Sequence, residues 1–130
     1  MSGLKTFLAV LFMLVGALPA PALNNAANED LRIFAICAGR FSAQMEHSWL
    51  FGKSDAGDFE QDREMMLLLI DTIMPDTDRI RVMDWRINAK QAHAMLLTRA
   101  AYSIDGADAV WAETRAEAAI AECRDLLLFN

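Results

Sequence analysis

Apolar residues recur at intervals of three and four along most of the chain after its N-terminal segment, which is the spacing of amphipathic helices. No stretch alternates polar and apolar residues in the manner of a half-buried strand. The pattern predicts four helices, at about 28–51, 58–73, 76–102 and 107–127. Because the joints between them are short, we predict an all-α fold, a four-helix up-down-up-down bundle.

The predicted ends of the helices rest on residues with known preferences. Gly52 suits the left-handed conformation that commonly follows a helix, and Pro75 stops the second helix. The segment Asp105-Gly-Ala-Asp108 is close to a capping box and predicts the start of the fourth helix. Residues 23–28, rich in Asn and Ala, are predicted to be a loose leader.

The spacing also predicts which side chains are buried. The stripe of the first helix comprises Leu31, Phe34, Ala38, Phe41 and Met45. The stripe of the third helix comprises Ile80, Met83, Ile87, Ala94 and Leu97, widened by Trp85, Ala89, Ala92 and Leu96. Small residues predict a close seam between the first and fourth helices, formed by Ala35, Gly39 and Ala43 with Ala109, Ala112, Ala116 and Ala119. Aromatic residues near the helix ends are predicted to cover the core, among them Trp49, Phe51, Phe59, Tyr102, Trp111 and Phe129.

The N-terminal segment has the pattern of an export signal. Lys5 supplies a positive start, residues 7–18 are uncharged and apolar, and Ala20 and Ala22 have the small side chains of a cleavage site. The apolar stretch of 12 residues is shorter than the roughly 20 that a spanning helix needs. We therefore predict a signal peptide at 1–22 that is cleaved, with an uncleaved anchor as the alternative.

Cleavage would leave a single domain at 23–130, long enough to close one hydrophobic core. Lys5 is the only charged side chain removed, so 12 basic residues become 11 against 18 acidic ones, and the net charge changes from −6 to −7. An acidic chain of this kind argues against nucleic acid as a partner, and against anionic membrane surfaces. The mature form is predicted to be periplasmic or secreted and not embedded in a membrane.

The chain has two cysteines, Cys37 and Cys123. In an exported protein an even number of cysteines favours an intramolecular disulfide. Two thiols are too few for a structural zinc site, which takes four ligands, and no Cys-x-x-Cys pair indicates a redox site. We therefore predict one structural bridge that joins the first helix to the fourth.

A basic stripe on the third helix is the strongest candidate for a binding site. Arg86, Lys90 and His93 follow one another at intervals of three and four residues and so share a face. They could receive an acidic ligand together with Glu46 of the first helix. The alternative is a solvated face with ordinary ion pairs, which contribute little individually.

A metal site is a second, weaker candidate. His47 and His93 come at similar heights on two helices that run in the same direction, and Glu46, Glu60 or Asp62 could add a carboxylate. The spacing matches no local metal motif, so two histidines on partly exposed helices are the alternative. No set of nucleophile, base and orienting residue is recognisable, and no motif implies a cofactor.

Two segments carry a resemblance to known proteins. Residues 37–50 (CAGRFSAQMEHSWL) and 86–100 (RINAKQAHAMLLTRA) resemble a group of small exported bacterial helical proteins with no assigned activity. The resemblance implies an exported all-helical domain and transfers no catalytic or binding residue. In plan the chain is also similar to periplasmic immunity proteins, an analogy of size and architecture alone.

The sequence thus favours a non-enzymatic periplasmic or secreted interaction module that binds a protein rather than a small molecule. Two alternatives stay open. One is a small-molecule or metal-binding protein that uses the polar residues of the first and third helices. The other is an enzyme whose site matches no known motif.

Overall fold

A computed structural model describes residues 20–128 of the 130-residue chain. Within that range the fold is all-helical, without a strand, and one disulfide joins Cys37 to Cys123. A short 3₁₀ helix, Asp76–Asp78, leads into the third α-helix. The α-helices are α1 (Ala20–Leu50), α2 (Ala56–Ile73), α3 (Arg79–Tyr102) and α4 (Gly106–Leu128).

Helix α1 is the centre of the fold, because it contacts α2, α3 and α4. The predicted stripe of α1 is buried at every position, which confirms it: Leu31, Phe34, Ala38, Phe41 and Met45. Met66 and Ile70 of α2, Val82 of α3 and Ile120 of α4 belong to the same hydrophobic core. Burial of this much apolar surface against a single helix is the main stabilising contribution to the fold.

Contacts between α1 and the other helices establish how they lie along one another. Asn28 lies beside Arg81 at one end, and the rings of Phe51 and Tyr102 are 6.3 Å apart at the other, so α3 follows α1 in the same direction. Helices α2 and α3 do not contact each other, although they are consecutive. The short joint predicted that α2 and α3 would pack side by side. They do not, because α1 lies between them.

The small residues of α1 approach a different helix from the one predicted. A Cβ built on Gly39 would overlap the carbonyl oxygen of Arg86 and lie 3.1 Å from the Cβ of Ala89, so the closest approach of backbones is between α1 and α3. The prediction that Gly39 faces α4 is wrong. On α4 the predicted alanine face is buried at Ala112, Ala116 and Ala119.

The buried face of α3 also differs from the prediction. Ile80, Met83 and Ile87 are exposed, whereas Val82, His93 and Leu97 are buried. Only Leu97 of the five predicted stripe residues is buried, and Ala94 is half-buried. The prediction failed because α3 carries apolar residues on both of its sides, and the contact with α1 determines which side is buried.

Helix ends follow the local signals, with one exception. Gly52 has φ 62°, the left-handed conformation predicted for it, and Lys53 N donates to Ser48 O at 2.9 Å, which makes the ending a Schellman motif. The Asp105 carboxylate accepts from Ala107 N at 2.9 Å and starts α4. Helix α1, however, already includes residues 23–28, so the predicted loose leader is helical. Residues 1–19 of the predicted signal segment lie outside the described residues.

Candidate functional site

The structure does not assemble the four predicted ligand-binding residues into one site. Lys90 Nζ forms an ion pair with Glu46 Oε1 at 2.5 Å, and both side chains are half-exposed. The Arg86 side chain has no hydrogen-bond or ion-pair partner among residues 20–128. His93 is turned inward and is only 2% exposed. Lys90 and Glu46 therefore neutralise each other, and the three basic residues do not converge.

His93 is a buried imidazole held in its neutral form. Its Nε2 lies 3.0 Å from Gln44 Oε1. Because a carboxamide oxygen only accepts hydrogen bonds, Nε2 carries the hydrogen and Nδ1 does not. Burial, aided by the positive charge of Arg40 and by His47, lowers the pKa of His93 to about 4. At neutral pH the residue therefore adds no charge to its surroundings.

The buried His93 predicts a loss of stability in mild acid. Its folded pKa of about 4 lies below the unfolded value of 6.5, so its stabilising contribution is complete above pH 6.5. As the pH falls from 6.5 towards 4, this histidine binds a proton in the unfolded chain but not in the folded one. We expect His93 to account for a loss on the order of 2 kcal/mol in the free energy of unfolding by about pH 4.5.

Urea unfolding of the wild-type protein and of a His93→Gln variant, at pH 7 and in mild acid, measures this contribution. Carboxylates titrate in both proteins, so the difference between them isolates the histidine. A variant with the same pH dependence as the wild type would contradict the prediction, as would an NMR titration that places the His93 pKa near 6.5.

The two histidines do not form the predicted metal site. The His47 ring packs on Phe51, with centroids 4.4 Å apart, while His93 bonds Gln44. Burial and the charge of Lys53 lower the pKa of His47, and Asp55 opposes them. No group of three His, Cys, Asp or Glu side chains within residues 20–128 is placed to hold a metal ion.

A cavity of about 440 Å³ lies where α1, α3 and α4 meet, and sequence reasoning did not find it. Its lining combines three arginines with apolar side chains and has no carboxylate. The lining residues are Arg32, Ile36, Arg40, Trp85, Asn88, Ala89, Ala92, His93, Leu96, Arg115 and Ala119. Arg32, Ile36 and Arg40 recur every four residues on α1, which was the available signal. This cavity is the strongest candidate in the structure for a small-molecule site.

Exposed apolar side chains form the second feature of interest. Trp49 and Trp111, predicted as covers over the core, are 55% and 54% exposed, and Phe51 and Tyr102 are also exposed. Phe59 is buried as predicted, and Phe129 lies outside the described residues. Large exposed apolar surfaces mark sites of interaction more often than isolated apolar residues do.

Comparison of the chain with protein-family models, with curated proteins and with solved structures finds no match in any of the three. None of the helices in residues 20–128 combines the length and apolar character needed to cross a membrane.

Proposed function

We propose that the chain is an exported, non-enzymatic helical interaction module, with residues 1–22 removed as a signal peptide. The mature part, 23–130, is an up-down-up-down bundle in which α1 and α3 run one way and α2 and α4 the other. The Cys37–Cys123 disulfide supports export, because such bonds persist mainly outside reducing compartments. The single observation that carries the interaction role is the exposed apolar face of α3.

That outer face of α3 is defined by four residues, Ile80, Ile87, Met95 and Tyr102. They are 80%, 45%, 67% and 70% exposed. At 100° per residue all four lie within one half of the helix surface, away from the buried Val82 and His93. They share that surface with three exposed polar residues, Asp84, Gln91 and Thr98. Helix α2 does not contact α3 and so does not cover this face. A second helix packed on this row would remove its apolar side chains from water.

The spacing of the outer face of α3 matches that of a second copy of itself. Ile80 and Tyr102 lie eleven residues on either side of Gln91, and Ile87 and Met95 lie four on either side. A two-fold axis at Gln91 would place Ile80 against Tyr102 of the second copy, and Ile87 against its Met95. The steps of seven residues, from 80 to 87 and from 95 to 102, are the heptad spacing of paired helices. The partner proposed for this face is therefore a second copy of the chain.

Sedimentation equilibrium of the mature, oxidised protein tests the pairing. We expect a dimer, and we expect Ile87→Glu to weaken dimerisation at least tenfold, because it places a carboxylate near the two-fold axis without a partner. Leu68→Glu is the matched control, since Leu68 is an exposed apolar residue of α2 and receives the same charge. The control is expected to dimerise like the wild type.

Two results would overturn the pairing. One is a wild-type protein that stays monomeric at the highest soluble concentration. The other is an equal loss of dimer in Ile87→Glu and Leu68→Glu, which would indicate a general effect of added negative charge. Circular dichroism of both variants establishes that they are folded.

A further inference from the structure

The cavity between α1, α3 and α4 has a lining whose charge is opposite to that of the protein as a whole. The chain has a formal net charge of −6, yet Arg32, Arg40 and Arg115 line this cavity and no carboxylate does. Because His93 is neutral at physiological pH, the positive charge comes from the arginines. Arg32 pairs with Glu29 and Arg40 with Glu122, two carboxylates outside the lining, so Arg115 is the lining arginine without an ion pair among the described residues. Local potential in a concave site is set by the side chains that line it more than by distant surface charges.

The arginines retain unused donors. Arg40 uses only Nη1 in its contacts, with Ala119 O and Glu122 Oε2 at 3.3 Å and with Cys123 Sγ at 3.7 Å, so its Nη2 and Nε have no partner among the described residues. Arg115 makes no hydrogen bond or ion pair within residues 20–128. A guanidinium offers its donors in a planar fork that fits a carboxylate or sulfonate. The free donors at this cavity therefore match an anionic group.

Apart from Asn88 and His93, the remainder of the lining is apolar. Ile36, Leu96 and the Trp85 ring form walls, and the alanines Ala89, Ala92 and Ala119 leave room between the helices. Trp85 is held by the guanidinium of Arg81, which lies 5.2 Å from its ring centroid. The volume of about 440 Å³ lies within the range of small-molecule sites, roughly 300–1,000 Å³. A bare inorganic anion would leave these apolar walls in contact with water.

We propose that this cavity binds an amphiphilic organic acid, with its anionic group on the arginines and its apolar body between α3 and α1. A medium-chain carboxylate is the simplest member of this class. Arg115 and Arg40 hold the carboxylate, and Leu96, Ile36 and Trp85 cover the chain. The cavity and the outer face use different residues of α3, centred roughly 130° apart around the helix at 100° per residue, so ligand binding and pairing can be tested separately.

Isothermal titration of the folded, oxidised protein with octanoate, and in parallel with octanol, tests the proposal. Octanoate is expected to bind at least tenfold more tightly than octanol, which has the same chain without the charge. Arg115→Gln is expected to weaken octanoate binding about tenfold, because it removes one charge-assisted contact. Arg79→Gln is the matched control, since Arg79 is exposed, lies outside the cavity lining and loses the same charge.

A third variant probes the apolar half of the site. Ala92→Leu puts a larger side chain into the cavity from an exposed helical position, where leucine is well tolerated. It is expected to abolish octanoate binding while the thermal unfolding curve stays that of a folded protein. Equal affinities for octanoate and octanol, equal affinities of Arg115→Gln and Arg79→Gln, or undiminished binding by Ala92→Leu would each overturn the proposal.

Discussion

Reduction of the Cys37–Cys123 disulfide is expected to lower the free energy of unfolding by about 4 kcal/mol. The bridge joins residues separated by 86 positions, so it removes much of the conformational freedom of the unfolded chain. Its Cα atoms are 5.5 Å apart, within the usual range, and both cysteines are buried. Helix α4 has less contact with α1 than α2 and α3 have, so the bridge adds a covalent link where the packing is least extensive.

Urea unfolding with and without dithiothreitol measures this effect, because reduction leaves both side chains in place. A Cys37→Ala, Cys123→Ala variant is the control, and dithiothreitol is expected to leave its unfolding curve unchanged. That variant is expected to be somewhat less stable than the reduced wild type, since truncation of two buried side chains adds a cavity cost. A reduced wild type within about 1 kcal/mol of the oxidised protein would contradict the prediction.

This disulfide was predictable because it depended on few residues. Two cysteines allow only one intramolecular pairing, and the export signal predicted at 1–22 supplied the oxidising context. The buried stripe of α1 was predictable for a related reason, since Leu31, Phe34 and Phe41 leave that helix one clearly apolar side. The helix ends at Gly52 and Asp105 depend on local geometry and were also predicted correctly.

Helix α3 could not be oriented from its sequence. Ile80 and Ile87 on one side and Val82 and Leu97 on the other give nearly equal reasons to bury either face. The shape of α1 determines which face of α3 is buried, because Gly39 leaves room for the backbone of α3 to approach at Arg86. The periodicity of apolar residues describes one helix and carries no information about how closely that helix approaches a second helix.

The cavity could not be predicted from the sequence for a similar reason. Arg32 and Arg40 lie on α1, and Arg115 lies on α4, so only the packing of helices brings them together. The sequence singled out Lys90 and His93 because they are spaced on one helix. In the structure Glu46 neutralises the charge of Lys90, and burial keeps His93 in its neutral form. A charge pattern within one helix identifies neighbours and does not show which charges remain unpaired after folding.

Substitution of Gly39 by alanine is expected to destabilise the protein by about 3 kcal/mol, although alanine is the better helix former. The added Cβ would overlap the Arg86 carbonyl oxygen and lie 3.0 Å from Lys90 N. Both atoms belong to the backbone of α3, which cannot move aside as a flexible side chain could. Helices α1 and α3 would have to separate, and the loss of packing along their whole contact outweighs the gain in helix propensity of about 1 kcal/mol.

Gly57→Ala provides the matched control for this substitution, since Gly57 is also helical but has no atom within 4 Å of a built Cβ. That variant is expected to be as stable as the wild type or more stable, by up to about 1 kcal/mol. Urea unfolding of the two oxidised variants beside the wild type separates the cost of the contact from the effect of alanine in a helix. If Gly39→Ala unfolded at the same urea concentration as Gly57→Ala, the backbones of α1 and α3 would not be as close as the prediction requires. Close approach at Gly39 would then not be what determines the buried face of α3.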